Sequence, residues 1–232
     1  MRFQQTFLVA SVLAMAAAKP CKPVVKPSSS AAPPVTSAVA PPPIAVPTVA
    51  PVATEPAAPV VAVSAAGGIT AEKIIQIAPT TASCAGAEFP DECADAAAAA
   101  PAISNSFTQY KLTEVGEQAA VVSLMLFESG SFKYNKNHFP GVVGQGTRNM
   151  QSPAFNALYA AAIGVADPMA DNDSSFGSAA WFLTTQCSAD VRAGLVAGTP
   201  AGYSAYLTQC VGTTDTADRD TIWAATIAAM KG

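Results

Sequence analysis

The chain has 232 residues, half of them hydrophobic and only 12% charged, with 12 Lys and Arg against 16 Asp and Glu. From Thr70 onward the count is 8 basic against 15 acidic, a net charge of −7, which argues against nucleic acid and anionic membrane as partners. Of the 19 prolines, 12 lie between Pro20 and Pro59, so composition divides the chain before any motif is read.

Residues 1–18 are expected to be a signal peptide. Arg2 supplies the basic start, Phe7 to Ala14 the apolar core, and Ala14, Ala16 and Ala18 the small residues suited to cleavage. That apolar run is too short to span a bilayer, and no later stretch is long and apolar enough to anchor the chain. A secreted, extracellular protein without a membrane anchor is the expectation. Residues 19–69 are Pro, Ala, Val, Ser and Thr with no helical or strand period. They are expected to form a disordered, semi-stiff spacer, with hydroxyls from Ser28 to Thr54 as candidate O-glycosylation sites. Residues 70–232 are long enough for one well-formed core.

Helix signals dominate this last part. Thr70 caps a short helix over Ala71 to Ala78. Pro90, Asp91 and Glu92 open a second one to Ala99, and Pro101 restarts or kinks it towards Tyr110. Thr113 caps a helix over Glu114 to Ser129, ended by Gly130 and apolar on nearly every face, as a central buried helix is. Residues 131–151, with Gly141, Gly144 and Gly146, form an irregular segment with room for a small hairpin. Further helices are expected over Pro153–Ile163, Ser175–Gln186, Ala189–Ala197, Pro200–Cys210 and Arg219–Met230. An acidic loop holds Asp167, Asp171, Asp173 and the sequon at Asn172. The fold class is therefore all-α with a small irregular or β-containing loop region. Cys84, Cys93, Cys187 and Cys210 are expected as two disulfides, the first two paired and the last two paired, although four cysteines permit three pairings. Cys21 is left over. With His138 the single histidine and no Cys-x-x-Cys, neither metal nor cofactor is expected.

Glu128 is the candidate for chemistry. It is the first charge after a nine-residue apolar stretch, and it lies in the last turn of the buried helix. Desolvation and the negative end of the helix dipole both disfavour its charged form, as a general acid for a glycosidic oxygen requires. A solvent-exposed helix end, or a pair with Lys133, explains the same pattern without chemistry. Asp167, Asp171 and Asp173 are the clustered candidates for a second carboxylate, with a solvated loop as the stronger reading. His138 and Arg148 read as loop scaffold, and Trp181, Phe182 and Trp223 as core.

Glu128-Ser129 followed by Gly146-Thr147-Arg148-Asn149-Met150-Gln151 resembles the Glu-Ser … Gly-Leu-Met-Gln pattern of lytic transglycosylases and goose-type lysozymes. Phe127 to Gln151 also resembles small secreted fungal proteins with a lysozyme-like domain. The resemblance implies a lysozyme-like helical domain in which Glu128 is the catalytic general acid/base. It implies that Ser129, Tyr134, Asn135, Gln145, Asn149, Met150 and Gln151 bind or frame an N-acetylated sugar. The substrate would be a cell-wall polysaccharide such as peptidoglycan or chitin, and the protein a monomer. The sequence departs from that pattern in the longer spacing from Glu128 to Gln151, in Asn149, and in lacking the later Tyr-Asn-Ala-Gly motif. A non-catalytic polysaccharide-binding or effector protein on the same scaffold, and a domain serving surface attachment, are the alternatives.

Overall fold

The computed structural model describes residues 68–232; the signal-peptide, spacer and Cys21 expectations lie outside the described residues. The described chain is mainly helical, with eight α-helices: α1 Ala71–Ile77, α2 Ala96–Gln109, α3 Val115–Glu128, α4 Pro153–Ile163, α5 Asn172–Gln186, α6 Ala189–Val196, α7 Pro200–Ala205 and α8 Ala217–Lys231. A 3-10 turn over Pro79–Ala82 follows α1, and a π-helical turn over Tyr206–Val211 continues α7.

Local chemistry sets most helix ends. The side chains of Thr70, Asp95, Ser152, Asp171, Ser188 and Thr199 each accept a bond from a backbone amide in the first turn of the helix they precede. Two boundaries differ from expectation for this reason. The second helix starts after Asp95 rather than at Asp91, and it runs unbroken through Pro101, which lies inside it. α5 begins three residues early because Asp171 caps it through Ser174 N at 2.7 Å. α3 differs in another way. Glu114 holds its N-cap position without a side-chain bond, and the Thr113 hydroxyl lies 3.5 Å from Glu114 Oε1 instead.

α3 is the axis of the core. Residues 119–126 are all buried, and it packs most extensively on α8, while α2 packs on α5. Gly116 lets α3 approach the end of α6: a β-carbon there would collide with the backbone carbonyl of Leu195. Glu117, buried in the same helix, is paired with Arg192 at 2.7 Å. The disulfides join Cys84 to Cys93 and Cys187 to Cys210.

Residues 129–152 form no strand, and two isolated antiparallel bridges, Lys136–Gly146 and Gly146–Gln151, fold the segment back on itself. Arg148 is its anchor, with 2% of its surface exposed. Its Nη1 donates to Phe132 O (2.9 Å) and Tyr134 O (3.1 Å), its Nη2 to Glu92 O (2.7 Å) and Asn172 Oδ1 (3.3 Å), and its guanidinium lies over the Phe176 ring. Burial pulls the guanidinium down to about 10, with the Glu92 carboxylate opposing the shift.

Candidate functional site: a cleft at the end of the buried helix

The end of α3, the Gly-rich segment, the start of α4 and the chain after the π-helical turn enclose a cleft of about 270 Å³. Its lining combines polar residues, Glu128, Gln145, Asn149, Gln151, Ser152 and Thr213, with apolar ones, Leu124, Met150, Phe155, Phe182 and Val211.

Glu128 is not the isolated acid expected from its position in the sequence. Arg219 of α8, itself only 7% exposed at its side chain, places Nη2 2.6 Å from Glu128 Oε1, and its guanidinium lies over the Phe127 ring at 4.0 Å. Thr213 Oγ1 is 3.3 Å from the same Nη2. Glu128 is thus held by a buried guanidinium, and Lys133 is engaged elsewhere, donating to Thr80 O and Ser83 O. Among the candidate second carboxylates, Asp171 is spent on its cap. Asp167 accepts from Met169 N (2.8 Å), and Asp173 faces Asn105 (3.4 Å); none lines the cleft.

The seven residues expected to bind sugar divide. Gln145, Asn149, Met150 and Gln151 line the cleft with Glu128. Ser129, Tyr134 and Asn135 do not. The Ser129 hydroxyl is fully buried, donating to Met125 O (2.6 Å) and accepting from Phe132 N (3.0 Å), so it closes the helix end. Asn135 is held by Met169 O (2.6 Å) and the Ser175 hydroxyl. Tyr134 belongs to an aromatic group with Phe89, His138 and Phe139, its hydroxyl 3.3 Å from Glu88. His138 stacks on Phe89 at 3.6 Å and sits 3.0 Å from Glu92, where it serves the loop.

Within the cleft the polar groups are unequally occupied. Gln145 Nε2 donates to Met150 O (2.9 Å), and Asn149 Oδ1 accepts from the hydroxyls of Thr147 and Ser178 (2.8 Å each), so both brace the segment. Thr147 and Met150 hold positive φ, 61° and 48°, conformations that cost free energy for side chains with a β-carbon and persist here because these bonds enforce them. Gln151 is different. Both its side-chain Nε2 and Oε1 are buried without a hydrogen-bond partner. A buried amide in that state costs about 1–3 kcal/mol per group unless something else satisfies it.

Arg219, Thr213 and Phe155 were missed by sequence reasoning, and Phe182 was assigned to the core alone. Arg219 lies 91 residues from Glu128, and no local spacing announces that pair. Its one signal is a lone arginine on a helix that packs against the apolar α3.

No family model matches the chain, and no solved structure matches it. The chain is similar to a Fusarium oxysporum protein described as a bifunctional dioxygenase–epoxy alcohol synthase, 39% identical over 137 residues that cover 50% of this chain and 11% of that protein. The chain therefore spans about a ninth of that relative's length. This finding overturns membership in the lysozyme-like superfamily and with it the glycoside-cleaving function. The relative is an enzyme by its description, but of oxygenase type, and nothing in the match supports a glycosidase or transglycosylase. The short Glu-Ser and Met-Gln motifs do recur around one cleft, but as local segments closing a helix end and a loop.

Dioxygen chemistry takes a metal or organic cofactor. Among the described residues no three His, Cys, Asp or Glu side chains cluster to hold a metal, all four cysteines are in disulfides, and the single histidine is committed to Glu92 and Phe89. The donor set of the described residues does not fit a metal centre held by three such side chains.

Proposed function

We propose that this domain is a binding module for a small amphipathic molecule that carries neighbouring oxygen functions on an alkyl chain, of the epoxy alcohol type in the relative's description. The observation that carries the reading is the unpartnered amide of Gln151 in a cleft lined as well by apolar side chains. An epoxy alcohol offers an ether oxygen to accept from Nε2 and a hydroxyl to donate to Oε1. Its alkyl part meets Leu124, Met150, Phe155, Phe182 and Val211. The Glu128–Arg219 pair sets the polar end of the cleft and fixes ligand orientation rather than reacting.

The test is titration of the full chain with a linear medium-chain epoxy alcohol, followed by calorimetry, with the alkane of equal length as comparator. Saturable binding of the epoxy alcohol, weaker by roughly tenfold or more for the alkane and for Gln151→Met, is the expected result, since it is the loss of about 1.4 kcal/mol or more of satisfied amide. Equal binding of both compounds, or none of either, refutes the reading.

A further inference from the structure

Asn172-Asp173-Ser174 is the single Asn-x-Ser/Thr sequence in the 232 residues, and none of the three lines the cleft. The sequence opens α5, directly after the capping Asp171. Residues 170–173 are all exposed, as is Asn105 of α2, whose amide reaches Asp173 Oδ1 at 3.4 Å. Ser174 commits only its backbone, its N–H to Asp171 (2.7 Å) and its carbonyl to the Tyr159 hydroxyl (2.8 Å).

The orientation of the Asn172 amide is fixed by one partner. Arg148 Nη2 lies 3.3 Å from Asn172 Oδ1. A guanidinium only donates, so the amide must offer it oxygen and not nitrogen. The amide carbon is trigonal, so an oxygen held at the buried guanidinium turns Nδ2 to a different side. Nδ2 makes no hydrogen bond among the described residues. The fold thus uses the half of this amide that a glycan leaves intact and spares the half that a glycan occupies. The two disulfides agree with the compartment required, because such bonds form in the secretory lumen, where sugars are also joined to asparagine.

We infer that Asn172 carries an N-linked oligosaccharide. In the transfer, Asn172 Nδ2 attacks the anomeric carbon of an oligosaccharide presented as its polyprenyl diphosphate. The N–C bond forms as the C–O bond to the diphosphate breaks. The diphosphate leaves with the electron pair, Nδ2 gives up one proton, and nothing is oxidised or reduced. The product keeps the amide carbonyl and one N–H, so the acceptor for Arg148 survives the modification.

The experiment is production of the full chain in a fungal host and peptide mass spectrometry across residue 172, before and after peptide N-glycosidase, which leaves aspartate where a glycan was attached. The variants are Ser174→Ala and Ser174→Thr. Neither alters Asn172 or its bond to Arg148, unlike a replacement of Asn172 itself, and circular dichroism checks that both fold. The parent and Ser174→Thr are expected to carry a hexose- and N-acetylhexosamine-bearing peptide that the glycosidase converts to aspartate at 172. Ser174→Ala is expected to lose it completely. An unmodified Asn172 in the parent, or a sugar that persists in Ser174→Ala, overturns the inference. The same digest reports the two disulfides. An unmodified Asn172 beside both bonds refutes the site alone, and one without them refutes the compartment as well.

Discussion

Replacing Gln151 by methionine keeps the side-chain length and removes both buried, unpartnered polar atoms. Desolvating two amide groups without return costs about 1–3 kcal/mol each, and a volume-conserving swap costs under about 1.5 kcal/mol of packing. The balance favours the variant by at least about 0.5 kcal/mol even with the full packing cost. For a domain of this size that is a rise of roughly 1–2 °C or more in Tm. The backbone of residue 151 keeps its bond from Gly146 N at 3.2 Å, which the substitution does not touch. Thermal unfolding of the ligand-free full chain and of Gln151→Met, followed by far-ultraviolet circular dichroism, measures the difference. A site kept for binding at the expense of stability predicts a variant that melts higher and no longer binds. A Tm that falls would show that Gln151 is satisfied in the free protein, and the argument for a ligand at this position would collapse.

Other expected outcomes follow from the frame around the cleft. Arg148→Met strands three backbone carbonyls and Asn172 Oδ1, so it should cost about 3–5 kcal/mol, seen as a large drop in the urea midpoint; a change within about 0.5 kcal/mol would refute the anchor role. Gly116→Ala drives a β-carbon into the Leu195 carbonyl, and the backbone cannot yield cheaply. A loss of about 3 kcal/mol or failure to accumulate as folded protein is expected, and a parent-like melting curve would contradict the close approach of α3 and α6. Burial alone would raise the Glu92 carboxyl, but the amides of Asn135 and Lys136 and the ring of His138 outweigh it and hold it below its ordinary 4.5. The unfolded chain therefore takes up this proton first on acidification, and the stabilisation present above 4.5 is lost as pH falls through the lower folded value. Glu92→Gln should flatten the fall in urea stability between about pH 5 and pH 3; an unchanged slope would assign the acid sensitivity elsewhere.

Helices were legible because their signals are local. Ser152, Ser188 and Thr199 cap where their spacing to the next apolar run says they should, and α3 shows its burial in an uninterrupted apolar stretch. The second helix was misplaced because Pro90, Asp91 and Glu92 satisfy the same N-terminal rules as Asp95, and only the disulfide-bound turn before it decides between them. The cleft was half legible. Glu128 and the Gln145–Gln151 segment are close in sequence, whereas Arg219, Thr213 and Val211 arrive from the far end of the chain. The functional error has the same root. A carboxylate at the end of a buried helix looks like an acid only until its partner is placed, and a motif of a few residues cannot distinguish a catalytic cleft from another use of the same helix end.

The Cys187–Cys210 bond fastens the first residue after α5 to the π-helical turn, and the very next residues, Val211 and Thr213, are wall and prop: one lines the cleft, the other reaches Arg219. The helical frame of α2, α3, α5 and α8 is held by apolar packing. A chain in which these two thiols stay reduced would therefore lose the tie behind one part of the cleft lining while keeping the apolar packing of the helices. For this molecule, oxidation state belongs on the label of every sample as much as concentration does.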